Sequence, residues 1–370
     1  MTIDPVLIDR AVERARQWSE AARAYPTARS AKLLSQVLDH EGGLDYTVNF
    51  VDGVIRPEDH GVAARNLKHL SKRDSAFLPP YLAAPANVGG RIAPFVPSLA
   101  SSAARRVFAM LVGDLVLDVT PDKLGPAIAK LRADGSRLNL NLLGEAVLGD
   151  REAAHRMEAT AALIERDDVD YVSLKVSAVI GPHAPYGHAA AVEEAVEKLL
   201  PLYRLAAASS TFINLDMEEY RDLDLTIDVF TRILDREEFL GYRAGIVLQA
   251  YLPDALGRLN GLTEWAQARR ARGGAPIKVR IVKGANLSME RVDATMHGWE
   301  LTVQADKAYT DANYIACLDA ALTPERVDAV NIGIAGMNLF TMAYGYELVR
   351  ERGIASGVDY EMLAGMATPQ

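Results

Sequence analysis

Short apolar runs with polar residues at alternate positions recur from about residue 137 onward, separated by amphipathic stretches at intervals of roughly 30 to 50 residues, the length of a βαβ unit. The pattern predicts seven strands, over residues 138–144, 171–177, 212–218, 245–251, 277–283, 330–335 and 360–363. Helical periodicity fills the gaps, for example over 189–206 and 222–234. The preceding part predicts helices over 5–25, 27–40, 57–71, 98–117 and 121–133, with a crossing at 78–97 whose PP and GG pairs break regular structure. This change of texture divides the chain into a helical region, 1–136, and a strand-helix region, 137–370.

Successive strand side chains point to opposite faces. One predicted face is apolar throughout: Leu138/Leu140/Leu142, Val172/Leu174/Val176, Ile213/Leu215/Met217, Ile246/Leu248/Ala250, Ile277/Val279/Ile281 and Val330/Ile332/Ile334. The other carries Asn139/Asn141/Leu143/Glu145, Ser173/Lys175, Asn214/Asp216/Glu218, Val247/Gln249/Tyr251 and Arg280/Val282. A doubly wound sheet has helices on both faces and would read as near-continuous apolar runs, so the asymmetry predicts a parallel barrel whose polar face closes on itself. The C-terminal strand ends of such barrels line the active site; here they hold Glu145, Lys175, Asp216, Glu218, Gln249 and Arg280.

Bulk composition narrows the function. With 370 residues, 49% hydrophobic and 24% charged, the chain has the balance of a soluble globular protein. Its net charge of −9 argues against nucleic acid as a partner. A single cysteine, Cys317, excludes an intrachain disulfide and a cysteine-built zinc site. The N-terminus lacks the apolar block of a signal peptide, and the most apolar later window, 107–119, is too short to span a bilayer and contains Asp114. A cytoplasmic location is expected.

The stretch VRIVKGAN, residues 279–286, sets Arg280 inside an apolar run, and a buried charge without a partner costs several kcal/mol. Placed in a barrel mouth among carboxylates, Arg280 gains partners. A lysine, an arginine, an amide and several acids on one mouth suit an anionic ligand together with a second polar one; the plainer reading is an ion-pair network that fills the barrel. Of the adjacent pair Glu218 and Glu219, strand alternation puts only Glu218 in the mouth. His183 and His188 fit no metal-ligand spacing, so no metal is expected. Neither a G-x-G-x-x-G nor a P-loop motif is present. Lys175 and Lys283 also suit a Schiff-base aldolase, and a noncatalytic binding protein is a further alternative.

The strings YVSLKVSA, INLDMEEYRDLDLT, GIVLQAYLPD, KVRIVKGANLSMERV, TDANY and EMLAGMA, in this order, resemble the proline dehydrogenase domain of the proline utilization A flavoenzymes, from about Leu138 to the end. The resemblance implies a distorted (βα)8 barrel preceded by a helical region, with FAD at its mouth. It implies oxidation of L-proline to 1-pyrroline-5-carboxylate and transfer of electrons to a membrane quinone, with peripheral membrane contact and self-association as further expectations. Carried over by residue, Arg280 resembles the arginine at the reactive flavin edge, and Asp216 the acid near flavin and substrate. Gln249, Lys283, Gly284, Ala285, Lys307, Thr310 and Asn338 resemble cofactor contacts. Lys175 resembles the lysine that holds the substrate carboxylate, Leu363 an apolar wall over the proline ring, and Asn286 and Glu145 further substrate-site positions.

Three departures qualify the resemblance. Asn286 stands where many members have a tyrosine. In Gly336-Met337-Asn338 a flavin-contacting histidine is missing and only Asn338 matches. The sequence ends soon after the seventh predicted strand, so the eighth βα unit, with paired arginines that grip the proline carboxylate, is expected to be absent, with no aldehyde dehydrogenase domain following and little proline:quinone activity.

Overall fold

The computed structural model describes residues 4–25, 36–37, 39–73, 89–112, 116–142, 147, 149–181 and 185–365. The expected helix at 27–40, most of the crossing at 78–97, and Glu145 and His183 lie wholly or largely outside these residues.

The chain forms helices α1 (Pro5–Ala22), α2 (Gly43–Phe50), α3 (His60–Leu70), α4 (Pro97–Val112) and α5 (Pro121–Leu131) before its first strand. Strands and helices then alternate: β1 (Leu140–Asn141), α6 (Asp150–Ile164), β2 (Tyr171–Lys175), α7 (His188–Ser209), β3 (Phe212–Asp216), α8 (Leu223–Leu234), β4 (Gly245–Gln249), α9 (Ala255–Ala271), β5 (Ile277–Val282), α10 (Leu287–His297), α11 (Lys307–Ala321), β6 (Val330–Ala335), α12 (Leu339–Glu351) and β7 (Val358–Glu361). Short one-turn helices, such as Pro324–Val327, punctuate the connections. Each strand pairs in parallel with the next in sequence, in the order β1 to β7. The last strand lies two residues earlier than its expected position, because Val358 and Asp359 join the ladder opposite Ile332 and Gly333.

The expected apolar face is the one covered by helices. Ile213, Leu215, Ile246, Leu248, Val279, Ile281, Ile332 and Ile334 are all buried. Against them lie α7, α9, α11 and α12, which bury Leu199, Tyr203, Leu259, Leu262, Tyr314, Leu318, Met342 and Leu348. These positions recur at helical spacing, so each helix turns one apolar stripe inward. The opposite sheet face is concave. In a flat sheet three strand spacings of about 4.8 Å would separate β2 from β5, yet Arg280 of β5 donates to Tyr171 Oη of β2 at 2.8 Å and to Asp216 Oδ1 of β3 at 3.0 Å. Curling of the sheet brings them together. The architecture is a TIM-type barrel fold with seven parallel strands among the described residues.

The chain divides into two compact units, the first from residues 1–19 and 128–362 and the second from 20–127 and 363–370. Residues 128–136 and the start of α1 fall in the same unit as the sheet. In the first unit α1 docks on α12: Arg14 Nε donates to Glu347 Oε1 at 2.8 Å, Arg10 pairs with Glu351, and Trp18 meets Tyr346 edge-on at 5.4 Å. The second unit packs Val54, Ala64, Leu67, Ala93 and Ala104 into one cluster. There Arg105 Nη2 donates to Pro57 O at 2.7 Å, and the Asp59 carboxylate caps α3 by accepting from Val62 N at 2.8 Å.

Arg269, fully buried in α9, donates to the carbonyls of Phe239 (2.7 Å), Leu240 (2.9 Å), Tyr242 (3.0 Å), Leu234 (3.4 Å) and Ala275. It thereby fixes the turns that lead into β4 and β5. Replacing it by methionine strands several buried acceptors, each costing about 1–3 kcal/mol. Arg269→Met should therefore lower stability by about 3 kcal/mol or more, measured as the shift of the urea unfolding midpoint.

Candidate functional site

Strand β5 reads Ile-Lys-Val-Arg-Ile-Val. Its odd positions, Ile277, Val279 and Ile281, go under the helices, so Lys278 and Arg280 both enter the concave side. Arg280 is only 11% exposed and is held on three sides: Nε donates to Glu361 Oε2 at 2.7 Å, Nη1 to Asp216 Oδ1 at 3.0 Å and Nη2 to Tyr171 Oη at 2.8 Å. Lys278, 8% exposed, lies 2.7 Å from both Asp359 Oδ2 and Glu361 Oε1, with its ammonium 5.4 Å from the centre of the Tyr171 ring. The contact with Glu361 Oε1 falls outside hydrogen-bonding angles and is a Coulombic one. Room for this arrangement comes from Gly333 of β6, which sits opposite Arg280. A Cβ there would lie 2.2 Å from Glu361 Oε1 and 3.1 Å from Lys278 Cε.

Asp216, the last residue of β3, gathers donors around a buried carboxylate. Oδ1 accepts from Asn214 Nδ2 (2.7 Å), Arg280 (3.0 Å) and Ser173 Oγ (3.2 Å), and Oδ2 from Asn141 Nδ2 (3.0 Å). Burial pushes this carboxyl above its ordinary value, and Arg280, Ser173, Asn214 and Lys175 offset part of that rise. Burial likewise pushes the Tyr171 phenol well up, so it stays protonated beside Arg280.

Lys175 ends β2 in register with Asp216, and its ammonium is 2.5 Å from Glu218 Oε1. The backbone carbonyl of Glu218 accepts from Gln249 Nε2 and from Tyr251 Oη, both at 3.1 Å. Beyond β5, Lys283 donates to Asp311 Oδ1 at 2.5 Å while Lys307 takes the other oxygen of the same carboxylate, and the two ammonium groups hold Asp311 below its usual range despite burial. Gly284 has φ +116°, and a Cβ there would strike the Tyr251 ring at 2.4 Å.

The structure thus joins Arg280 to Asp216 directly, sets Lys175 beside them, ties Gln249 to Lys175 through Glu218, and links Lys283 to Lys307 through Asp311. Other expected site residues stand apart from these contacts. Asn338 caps α12, its Oδ1 accepting from Phe340 N and Thr341 N at 3.0 and 3.2 Å. Thr310 Oγ1 donates to Asp306 O within the first turn of α11. Ala285 is exposed and Asn286 half-buried ahead of α10, and Leu363 is 68% exposed, beyond the end of β7. Of the two histidines, His188 Nε2 lies 2.8 Å from Asp228 Oδ2.

Sequence reading missed Lys278, Glu361, Asp359, Tyr171 and Asp311. Lys278 was accessible from its alternation with Arg280. Glu361 lies inside the expected seventh strand, 360–363, but is given no face there, and Asp359 lies just before that strand.

A parallel barrel with its polar groups gathered at the C-terminal strand ends is the form of a barrel enzyme. Comparison with known proteins specifies which. The sequence profile of the family described as Proline dehydrogenase matches residues 125–370, and the chain belongs to that family. It is 28% identical over 266 residues to the bifunctional protein PutA of Klebsiella aerogenes, covering 68% of this chain and 20% of that protein. Among solved structures, proline utilization A of Corynebacterium freiburgense is 46% identical with a TM-score of 0.68, covering 77% of this chain and 29% of that one. That of Bdellovibrio bacteriovorus, inactivated by N-propargylglycine, is 25% identical with a TM-score of 0.81, covering 98% and 38%. The chain spans about a fifth of the length of the PutA relative.

The loop after β3 carries a further titrating group. Asp222 is buried near Glu219, Glu218 and Glu290, and burial raises its carboxyl to about 6 from 3.8. Glu290, also buried and raised, accepts from Tyr220 N at 2.7 Å. Because the folded state binds the Asp222 proton more tightly than the unfolded chain, its stabilising contribution is complete below pH 3.8 and is lost as the pH rises through about 6. Asp222→Asn should therefore stabilise the protein at pH 7.5 by on the order of 2 kcal/mol and give no such gain at pH 3.5, compared by denaturant titration at the two values.

Proposed function

We propose that this chain oxidises L-proline to 1-pyrroline-5-carboxylate with FAD as cofactor and a membrane quinone as electron acceptor. The observation that carries the reading is the buried Arg280–Asp216 pair at the mouth, with Lys175 in register beside it, in a chain of the proline dehydrogenase family.

The residues present fit the cofactor. Gly284, at φ +116°, lets the backbone after β5 pack directly on the Tyr251 ring, where any Cβ would intrude. Lys283 and Lys307 converge on one carboxylate, so two ammonium groups stand ready for a phosphate anion against a single counter-charge. Gln249, buried at the end of β4, donates an amide hydrogen to Glu218 O and so is fixed beside the mouth. FAD, when bound, supplies the hydride acceptor. The protein's own part is electrostatic and positional: the Arg280 guanidinium is preorganised to stabilise developing negative charge at low reorganisation cost. Lys175 offers a compact charge to the substrate carboxylate once it leaves Glu218. No helix among the described residues is long and apolar enough to cross a membrane, and the quinone contact proposed here is a peripheral one. The Schiff-base alternative has less support, since Lys175 and Lys283 are each engaged by a carboxylate at 2.5 Å, whereas a nucleophilic amine needs a desolvated, unpaired nitrogen.

The purified chain should show a flavin absorbance spectrum that bleaches anaerobically with L-proline; a colourless protein that takes up no added FAD would sink the reading. In flavin-loaded protein Arg280→Met should lower the flavin midpoint potential and slow turnover by about a hundredfold, the scale of losing one transition-state donor. Lys175→Ala should raise KM for proline at least tenfold while flavin content stays the same, and loss of flavin at constant KM would reassign Lys175 to the cofactor.

A further inference from the structure

We infer that Glu361 is a positioning residue that both aims Arg280 and sets how much of its positive charge reaches the ligand. The inference rests on the flavin reading for its effect on potential, but its geometric half stands by itself.

A guanidinium on β5 has several rotamers available to it, and two of its three hydrogen-bonded partners, Asp216 and Tyr171, lie to one side, on β3 and β2. Glu361 holds Nε from the other side, two strands away on β7. The opposed pulls leave one orientation. The structure also accommodates Glu361 specifically: Gly333 yields the space its carboxylate occupies, and Lys278 supports that carboxylate at 2.7 Å. A carboxylate 2.7 Å from Nε cancels much of the guanidinium field felt several ångströms away, and in this largely buried setting solvent screens little of that cancellation. Lys278 acts in the opposite sense, drawing part of the Glu361 charge towards itself and Asp359. The arrangement is a field setting built from β5, β6 and β7, distinct from the groups expected to touch substrate.

Glu361→Gln keeps shape and removes charge. In FAD-loaded full chain it should raise the flavin midpoint potential by about 30 mV or more, a tenfold shift of the two-electron equilibrium, opposite in sign to Arg280→Met. Lys278→Met should lower it, and Glu361→Asp should stay near wild type. A general loosening of the barrel would not reverse sign between Glu361→Gln and Lys278→Met. In flavin-free protein, phenylglyoxal labelling of Arg280, followed by mass spectrometry, should run several-fold faster in Glu361→Ala, which removes the acceptor of the Nε hydrogen bond, than in wild type. An unchanged or lowered midpoint in Glu361→Gln overturns the charge role, and an unchanged labelling rate overturns the positioning role. A wild-type chain that takes up no FAD overturns the flavin reading and the effect on potential with it, while the labelling comparison still decides whether Glu361 holds Arg280.

Discussion

The burial of one guanidinium constrains this protein more than any other contact. Arg280 has a side chain 11% exposed on the concave side of a sheet, where an unpaired charge would cost several kcal/mol. Its partners come from β2, β3 and β7, so the charge is tolerable only if strands far apart in the ladder curl towards one another. The same constraint selects Gly333 opposite Arg280 and leaves the concave side polar where many barrels carry stacked aliphatic layers. Hydrophobic stabilisation falls instead to the outer sheet face and its helices, where Ile213, Val279, Ile332 and their neighbours are buried.

A second regularity follows from the charges. Lys175 is paired with Glu218, Lys283 and Lys307 share Asp311, and Arg280 lies between Asp216 and Glu361. Each cation expected to meet a ligand is thus held by a carboxylate, and on the proposed reading ligand binding at Lys175 or at the lysine pair is an exchange of anionic partners. Exchange lowers net affinity, since a bond to the protein is broken for each one formed, but it keeps the cations aimed and limits the desolvation cost of an empty barrel mouth. The carbonyl of Glu218, fixed by Gln249 and Tyr251, keeps the backbone still while its side chain is free to release Lys175.

The family assignment and the geometry bear on different questions. Matching over residues 125–370 places the chain among the proline dehydrogenases, and the match says nothing about which carboxylate holds which cation. The contacts of Glu361, Lys278 and Asp311 supply that, and they connect the flavin-edge and tail regions expected from the resemblance to ordinary electrostatics.

Much of the architecture was legible along the chain because strand alternation is local. Ile277, Val279 and Ile281 against Lys278 and Arg280 suffice to show one apolar and one polar face, and β2 to β6 begin at the residues where that alternation started them, while β1 covers only Leu140–Asn141 of the expected 138–144. The polar ends named Lys175, Asp216, Gln249 and Arg280 for the same reason. Alternation does not report register between strands, nor which of several acids meets a given base. Pairing of Val358 and Asp359 with β6 starts β7 two residues before its expected position, and the ladder sets Asp359 opposite Gly333 and Glu361 opposite Ala335. Asp311 reaches Lys283 across 28 residues of chain, and Tyr171 reaches Arg280 across 109. Such partnerships depend on the curvature of the sheet and the packing of helices behind it, which are properties of the whole fold. The sequence by itself therefore determined the strands, the buried faces and the cations at the mouth; the tertiary structure alone decided their partners, because a charge pairs with whatever the fold brings within about 3 Å.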